Sequence, residues 1–150
     1  MRHLEHGVLV LGEGLPIEER LSKLYDGLTR ALQEHRPGIV AIEDIFHAQY
    51  ARSALVLGQA RGVALLAAAQ SGARVRSFAP SVIKQAVTGT GRAEKEQVGR
   101  MVCVLLGITL VGRADASDAL AAAICGLLRK NEPDAAAAPD ARAQPQRRRR

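Results

Sequence analysis

Aromatic side chains are nearly missing from this chain: two Phe, two Tyr and no Trp make up 3% of its 150 residues. Its core must therefore be built from aliphatic side chains and alanine, which a hydrophobic fraction of 47% can supply. Cysteine is also scarce. Cys103 and Cys125 both sit in apolar helical patterns without metal-ligand spacing, which excludes a disulfide framework and reads as reduced, buried thiols. The four histidines form no HxxxH or HExxH pair, and no serine or cysteine has the surroundings of an activated nucleophile. The longest apolar stretches are broken by Gln59 and Arg61 and fall short of a membrane span. Met1 to Gly14 lacks the cationic start and cleavage site of a secretory leader. These absences predict a soluble, cytoplasmic protein with no membrane partner.

The charge balance is what remains. A net charge of +6 and a pI near 10.0 favour an anionic partner, nucleic acid ahead of an acidic membrane surface, although part of the excess lies in the terminal RRRR. The length suits one domain, expected over residues 1–130. Residues 131–150 have neither periodicity nor bulk and read as a disordered Ala/Pro/Arg-rich tail.

Along the chain, GVLVL at Gly7–Leu11 reads as a short strand. From Pro16 to about Arg36, Ile17, Leu21, Leu24, Leu28 and Leu32 recur at helical spacing, with charged residues on the other face. Pro37 and Gly38 then introduce Ile39–Ile42, an apolar run that suits a strand covered on both faces. ALVLGQARGVALLAAAQ, Ala54–Gln70, reads as a helix apolar nearly all round and therefore buried, in its own domain or against another chain. Ala54, Gly58 and Gly62 form a stripe of small residues on it, and glycine costs roughly 1 kcal/mol relative to alanine in a helix, so close packing explains them. A strand at Arg74–Phe78, helices over Pro80–Val87, Ala93–Leu106 and about Ala116–Lys130, and a TGTGR connection complete the pattern.

Carboxylates supply the chemistry. Glu43 stands where the Ile39–Ile42 strand should emerge, and ligands of open α/β sheets collect at such carboxyl ends. The plain alternative is that Glu43 and Asp44 solvate a loop. Asp115 and Asp118, three apart in ADASDAL, share one side of a helix start, where a cap and a favourable dipole charge would also account for them. Were all three acids to face one space, a cation would have to sit between them, and hard oxygen ligands suit Mg²⁺ or Mn²⁺. Lys84, Arg92, Lys95 and Arg61 are the basic candidates for phosphate. A loop with Gly89 and Gly91 before a helix can also present backbone amides to one.

In order, AIEDIF, SALVLGQARGVALLAA, IKQAVTGTGRAEKEQV and ADASDALAAAI resemble the RuvC family of Holliday junction resolvases, over about Leu15–Leu128. The resemblance implies an α/β, ribonuclease H-like mixed sheet flanked by helices, a homodimer, and Mg²⁺-dependent symmetric nicking of four-way DNA junctions, with two ions per site. The stripe of Ala54, Gly58 and Gly62 is the candidate dimer interface, with packing inside the domain as its alternative. The resemblance also implies that Glu43, Asp115 and Asp118 are metal-binding catalytic acids. Lys84 and Lys95 resemble the family's basic residues near the scissile phosphate and junction backbone, Lys84 being read as catalytic, and Phe46 resembles the aromatic residue at the crossover. Arg92 is a DNA-binding candidate from its place in the glycine-containing loop. Junction-binding and branch-migration motor proteins are the implied partners.

One departure matters. Family members open with a strand ending in Asp-Pro-Gly, followed by a second strand, and neither is found in this sequence. Both the fourth acid and the central neighbour of Ile39–Ile42 are then missing. Two other readings follow from that departure, a noncatalytic junction-binding dimer or an inactive truncated remnant; an unrelated ribonuclease H-like nuclease or transposase is a third. The expectation is that Met1 is an internal codon. Genomic sequence immediately upstream should encode, in frame, an apolar strand ending in Asp-Pro-Gly; a stop codon or unrelated codons there would refute it.

Overall fold

The structure, a computed structural model, describes residues 1–44, 51–109 and 114–132. Phe46 and the last 18 residues (133–150), most of the expected tail, lie outside that set.

The elements run α1 (Ile17–His35), β1 (Ile39–Glu43), α2 (Ala51–Gln70), β2 (Arg74–Phe78), α3 (Pro80–Thr88), α4 (Lys95–Leu106) and α5 (Ala114–Leu128). β1 and β2 pair in parallel, from Ile39 opposite Arg74 to Glu43 opposite Phe78, and the Asp44 N–H extends the ladder to the Phe78 carbonyl at 2.9 Å. A parallel pair needs a crossover, and α2 provides it. α1 stops at Arg36, whose left-handed φ of 42° turns the chain into Pro37 while its N–H caps the Leu32 carbonyl. Pro80 starts α3, and glycines at 89 and 107 end α3 and α4 in the left-handed conformation that a side chain would strain.

Strand alternation divides the side chains between two layers. Ala41, Arg76 and Phe78 face α5, and Arg74 and Arg76 donate to the Lys130 and Arg129 carbonyls beyond its C-terminus, where the helix dipole favours a cation. Asp44 and Ser77 face α2. The core joins β2, α3, α4 and α5 through Phe78, Ile83, Val87, Val98, Val102, Ile124 and Cys125, with alanines between them, as the shortage of aromatics requires. Burial raises the Cys125 thiol above its ordinary pKa.

One expectation fails here. Gly7–Leu11 forms no strand: among the described residues it has no partner, and a lone strand gains no ladder. The segment instead lies along α1, with Leu9 seated on Gly27 and Glu5 bonded to His35 at 3.0 Å. Within the described chain α2 is covered only in part, which leaves burial against another chain as the open arm of the expectation. Only Ala67 and Ala68 are fully covered, while Leu55, Leu57 and Leu66 are exposed. The helix begins at Ala51, three residues before the expected start.

Among the described residues the sheet has two strands, so one edge of β1 is unpaired. Along it runs an apolar slot of about 550 Å³, lined by helices from both layers, including Leu28, Leu32, Ala64 and Ala122, and by β1 from Ile39 to Glu43.

The seat of α5 on β1 depends on Gly126, because a Cβ there would come within 2.9 Å of the Ala41 Cβ. Overpacking of this kind costs about 1–3 kcal/mol, against a helix-propensity gain of about 1 kcal/mol at most. Gly126→Ala should therefore lower stability in urea unfolding by about 1 kcal/mol; a more stable variant would show that the helix sits more loosely.

Candidate active site

At its carboxyl end β1 delivers Glu43 to the α5 side of the sheet. There α5 presents Asp118, α3 presents Lys84, and α4, which starts after Glu94, presents Lys95. The four side chains line one cavity of about 190 Å³ with Pro80, Ile83, Val98 and Ala121 as its apolar walls. Lys95 Nζ lies 3.0 Å from Asp118 Oδ2.

The electrostatics are those of two carboxylates sharing two ammonium groups. Burial and then repulsion from Asp118 push the Glu43 carboxyl above its ordinary value of 4.5, while Lys95 and Lys84 pull it back. Lys95 is held above its ordinary value of 10.5, first by its hydrogen bond to Asp118 and then by that carboxylate's charge. The ion pair is solvent-exposed, with 55% and 42% of the two side chains accessible. Such pairs contribute about 0–1 kcal/mol, so a ligand can separate this one at little cost.

Asp115 lies in the first turn of α5 and is exposed; it is not the cap, because the helix already includes Ala114. Its field reaches Lys95, but Glu43, Asp115 and Asp118 do not bring three carboxylate oxygens within 4.8 Å of one another. Arg92 is exposed in the loop before α4 and does not line the cavity. Arg61 is directed elsewhere, to Asp44 and Ser77. Ala54, Gly58 and Gly62 are exposed, and Cβ atoms added at the two glycines would meet nothing within 4 Å, so packing within the described part of the chain does not explain them.

Among the described residues one set does bring three ligand atoms within 4.8 Å: Glu5, Glu34 and His35, all exposed. This set is able to hold a divalent ion. Sequence reasoning missed it because its members meet only when the N-terminal segment lies along α1. His35 borders the slot at the entry to β1 and Glu43 borders it at the exit, so the length of the strand, about 13 Å, lies between the two groups. The donor chemistry of Glu43 and Asp118 fits Mg²⁺ or Mn²⁺: both offer hard oxygens on one cavity, and their repulsion calls for a cation.

A parallel pair of strands between helical layers, with acids gathered at the carboxyl end of one strand, is an α/β arrangement, and its solved neighbours place it in the ribonuclease H-like class. A family model described as "Crossover junction endodeoxyribonuclease RuvC" matches residues 1–126. The chain is 47% identical over 123 residues to the RuvC of Citrifermentans bemidjiense, covering 82% of this chain and 75% of that one. It is 50% identical over 127 residues to that of Myxococcus xanthus (83% and 66%) and 45% identical over 141 residues to that of Halorhodospira halophila (94% and 84%). Thermus thermophilus RuvC in complex with a Holliday junction substrate superposes with a TM-score of 0.80 at 32% identity, covering 86% of this chain and 79% of that one; another Thermus RuvC structure gives 0.76. The chain belongs to the RuvC family.

The raised Glu43 carboxyl makes a signed prediction. Between 4.5 and its folded value the native state binds more protons than the unfolded chain, so stability falls as pH rises through that window. In metal-free buffer Glu43→Gln should raise the melting temperature at pH 7, and the gain should vanish near pH 4. A lower melting temperature at pH 7 would mean that the lysines outweigh burial and repulsion.

Proposed function

We propose that the chain is a structure-specific endodeoxyribonuclease that resolves four-way DNA junctions by symmetric nicking in the presence of Mg²⁺ or Mn²⁺. The observation that carries this reading is the convergence of Glu43, Asp118, Lys84 and Lys95 on one cavity from four elements. Family membership supports it, as does the likeness to a RuvC solved with a Holliday junction.

Glu43 and Asp118 hold the divalent ions, with Asp115 one turn away on the same helix as the third acid. When bound, the ions supply Lewis-acid polarisation of the phosphate and of the attacking water. Lys95 leaves its weak pair with Asp118 and, with Lys84, binds the phosphate and offsets the charge that grows on it. The ammonium groups hold the phosphodiester over the carboxylates, and Ile83 and Val98 keep that side of the cavity dry. Arg92 and the excess positive charge of the chain add salt-dependent attraction to the DNA backbone. Phe46 is assigned to the crossover by family resemblance alone.

Symmetric nicking needs two copies of the site. The exposed Gly58 and Gly62, with Ala54, Leu55 and Leu57 on the same helix, are the surface we assign to a two-fold dimer. A noncatalytic junction-binding dimer is the second reading. It is favoured by the failure of Glu43, Asp115 and Asp118 to close to metal-ligand distances.

In the nuclease reading Glu43→Gln and Asp118→Asn bind a synthetic four-way junction as the parent does but cut it on the order of 100-fold more slowly or worse under single-turnover conditions. Binding without cutting by the parent, at any divalent-ion concentration, would favour the second reading. For the interface, Gly58→Leu should weaken self-association by about tenfold or more in sedimentation equilibrium; an unchanged dimer would move the interface elsewhere.

A further inference from the structure

Arg61 has no place in the chemistry above, yet it is the polar centre of α2. Its Nη2 donates to Asp44 Oδ1 and, at 2.8 Å, to Ser77 Oγ, and all three residues are only partly exposed. Asp44 directly follows Glu43, and Ser77 directly precedes Phe78, which lies opposite Glu43 in the ladder. The guanidinium therefore joins the carboxyl ends of both strands to one helix.

Alternation makes this arrangement consequential. Glu43 points to the α5 side, where Asp118 and the lysines are, so Asp44 points to the α2 side. The last rung of the ladder, from the Asp44 N–H to the Phe78 carbonyl, lies between them. A strand end with one unpaired edge frays unless something holds its final residue, and Arg61 holds it from the face opposite the cavity. The geometry points to Arg61 as a positioning residue: through Asp44 and Ser77 it fixes the backbone that carries Glu43, and it ties that backbone to the helix whose outer face bears Gly58 and Gly62. This assignment rests on the nuclease reading for its catalytic consequence but not for its structural one.

The two parts are tested separately. Amide hydrogen exchange by NMR on the parent, Arg61→Ala, Arg61→Lys and Ser77→Ala should show the Asp44 N–H exchanging about tenfold faster or more in Arg61→Ala, with protection in α4 and α5 unchanged. Arg61→Lys should fall between this variant and the parent, because one ammonium cannot serve both acceptors. Ser77→Ala, which leaves no charge unpaired, should show a smaller increase and decides the question if Arg61→Ala fails to fold. In single-turnover cutting of a four-way junction, Arg61→Ala should be about tenfold slower or more with its junction affinity unchanged. The assignment is overturned if the Asp44 N–H keeps its parental rate in the folded variants, or if protection drops equally throughout. A parent that never cuts refutes the nuclease reading and leaves the exchange result to decide the clamp.

Discussion

Everything at the site depends on how closely α5 lies against β1. Gly126 allows the approach by placing no side chain over Ala41, and the two arginines of β2 hold the far end of the helix through the carbonyls of Arg129 and Lys130 just beyond it. With that end fixed, the first turns of α5 reach the carboxyl end of the strand, and Asp118 comes to face Glu43. The cavity follows from this packing. Two acids brought together beside a partly apolar wall repel each other, and the lysines of α3 and α4 are the chain's own answer to the charge.

The two sides of the molecule are unequal. On one, β2 and the last three helices enclose a dense aliphatic core. On the other, α1 buries no residue fully, β1 has an unpaired edge among the described residues, and an apolar slot runs beside it. Glu43 stands where the two sides meet. Its backbone gets support from β2 on one edge and from Arg61 on one face, which is why a single guanidinium carries weight there.

Local patterns made much of this readable. The periodicity of Ile17–Leu32 and the Pro and Gly punctuation gave α1, β1 and α3 within a residue or two, and an acid at a strand's end marked Glu43 without any tertiary information. Contacts distant in sequence were not readable. Gly7–Leu11 has the composition of a strand, but a strand exists only with a partner. The composition of α2 shows that apolar surface must be covered; it does not say by which chain, and the described residues leave Leu55, Leu57 and Leu66 bare. Asp44 looked like loop solvation because the sequence does not reveal Arg61 opposite it. Glu5, Glu34 and His35 gave no signal at all, since nothing in their spacing brings them together.

In the nuclease reading Glu43 and Asp118 hold divalent ions together, and the second acidic group at Glu5, Glu34 and His35 is a clear competitor for them. The direct measurement is the rise in melting temperature produced by millimolar Mg²⁺ or Mn²⁺ in the parent, in Glu43→Gln, in Asp118→Asn, in their double variant and in His35→Ala. If Glu43 and Asp118 hold the ions, the rise is lost in either single acid variant, the double variant loses no more, and His35→Ala keeps it. A rise that survives in both acid variants and disappears in His35→Ala would place the ion at the other end of β1, at Glu5, Glu34 and His35, and rule out Glu43 and Asp118 as its ligands.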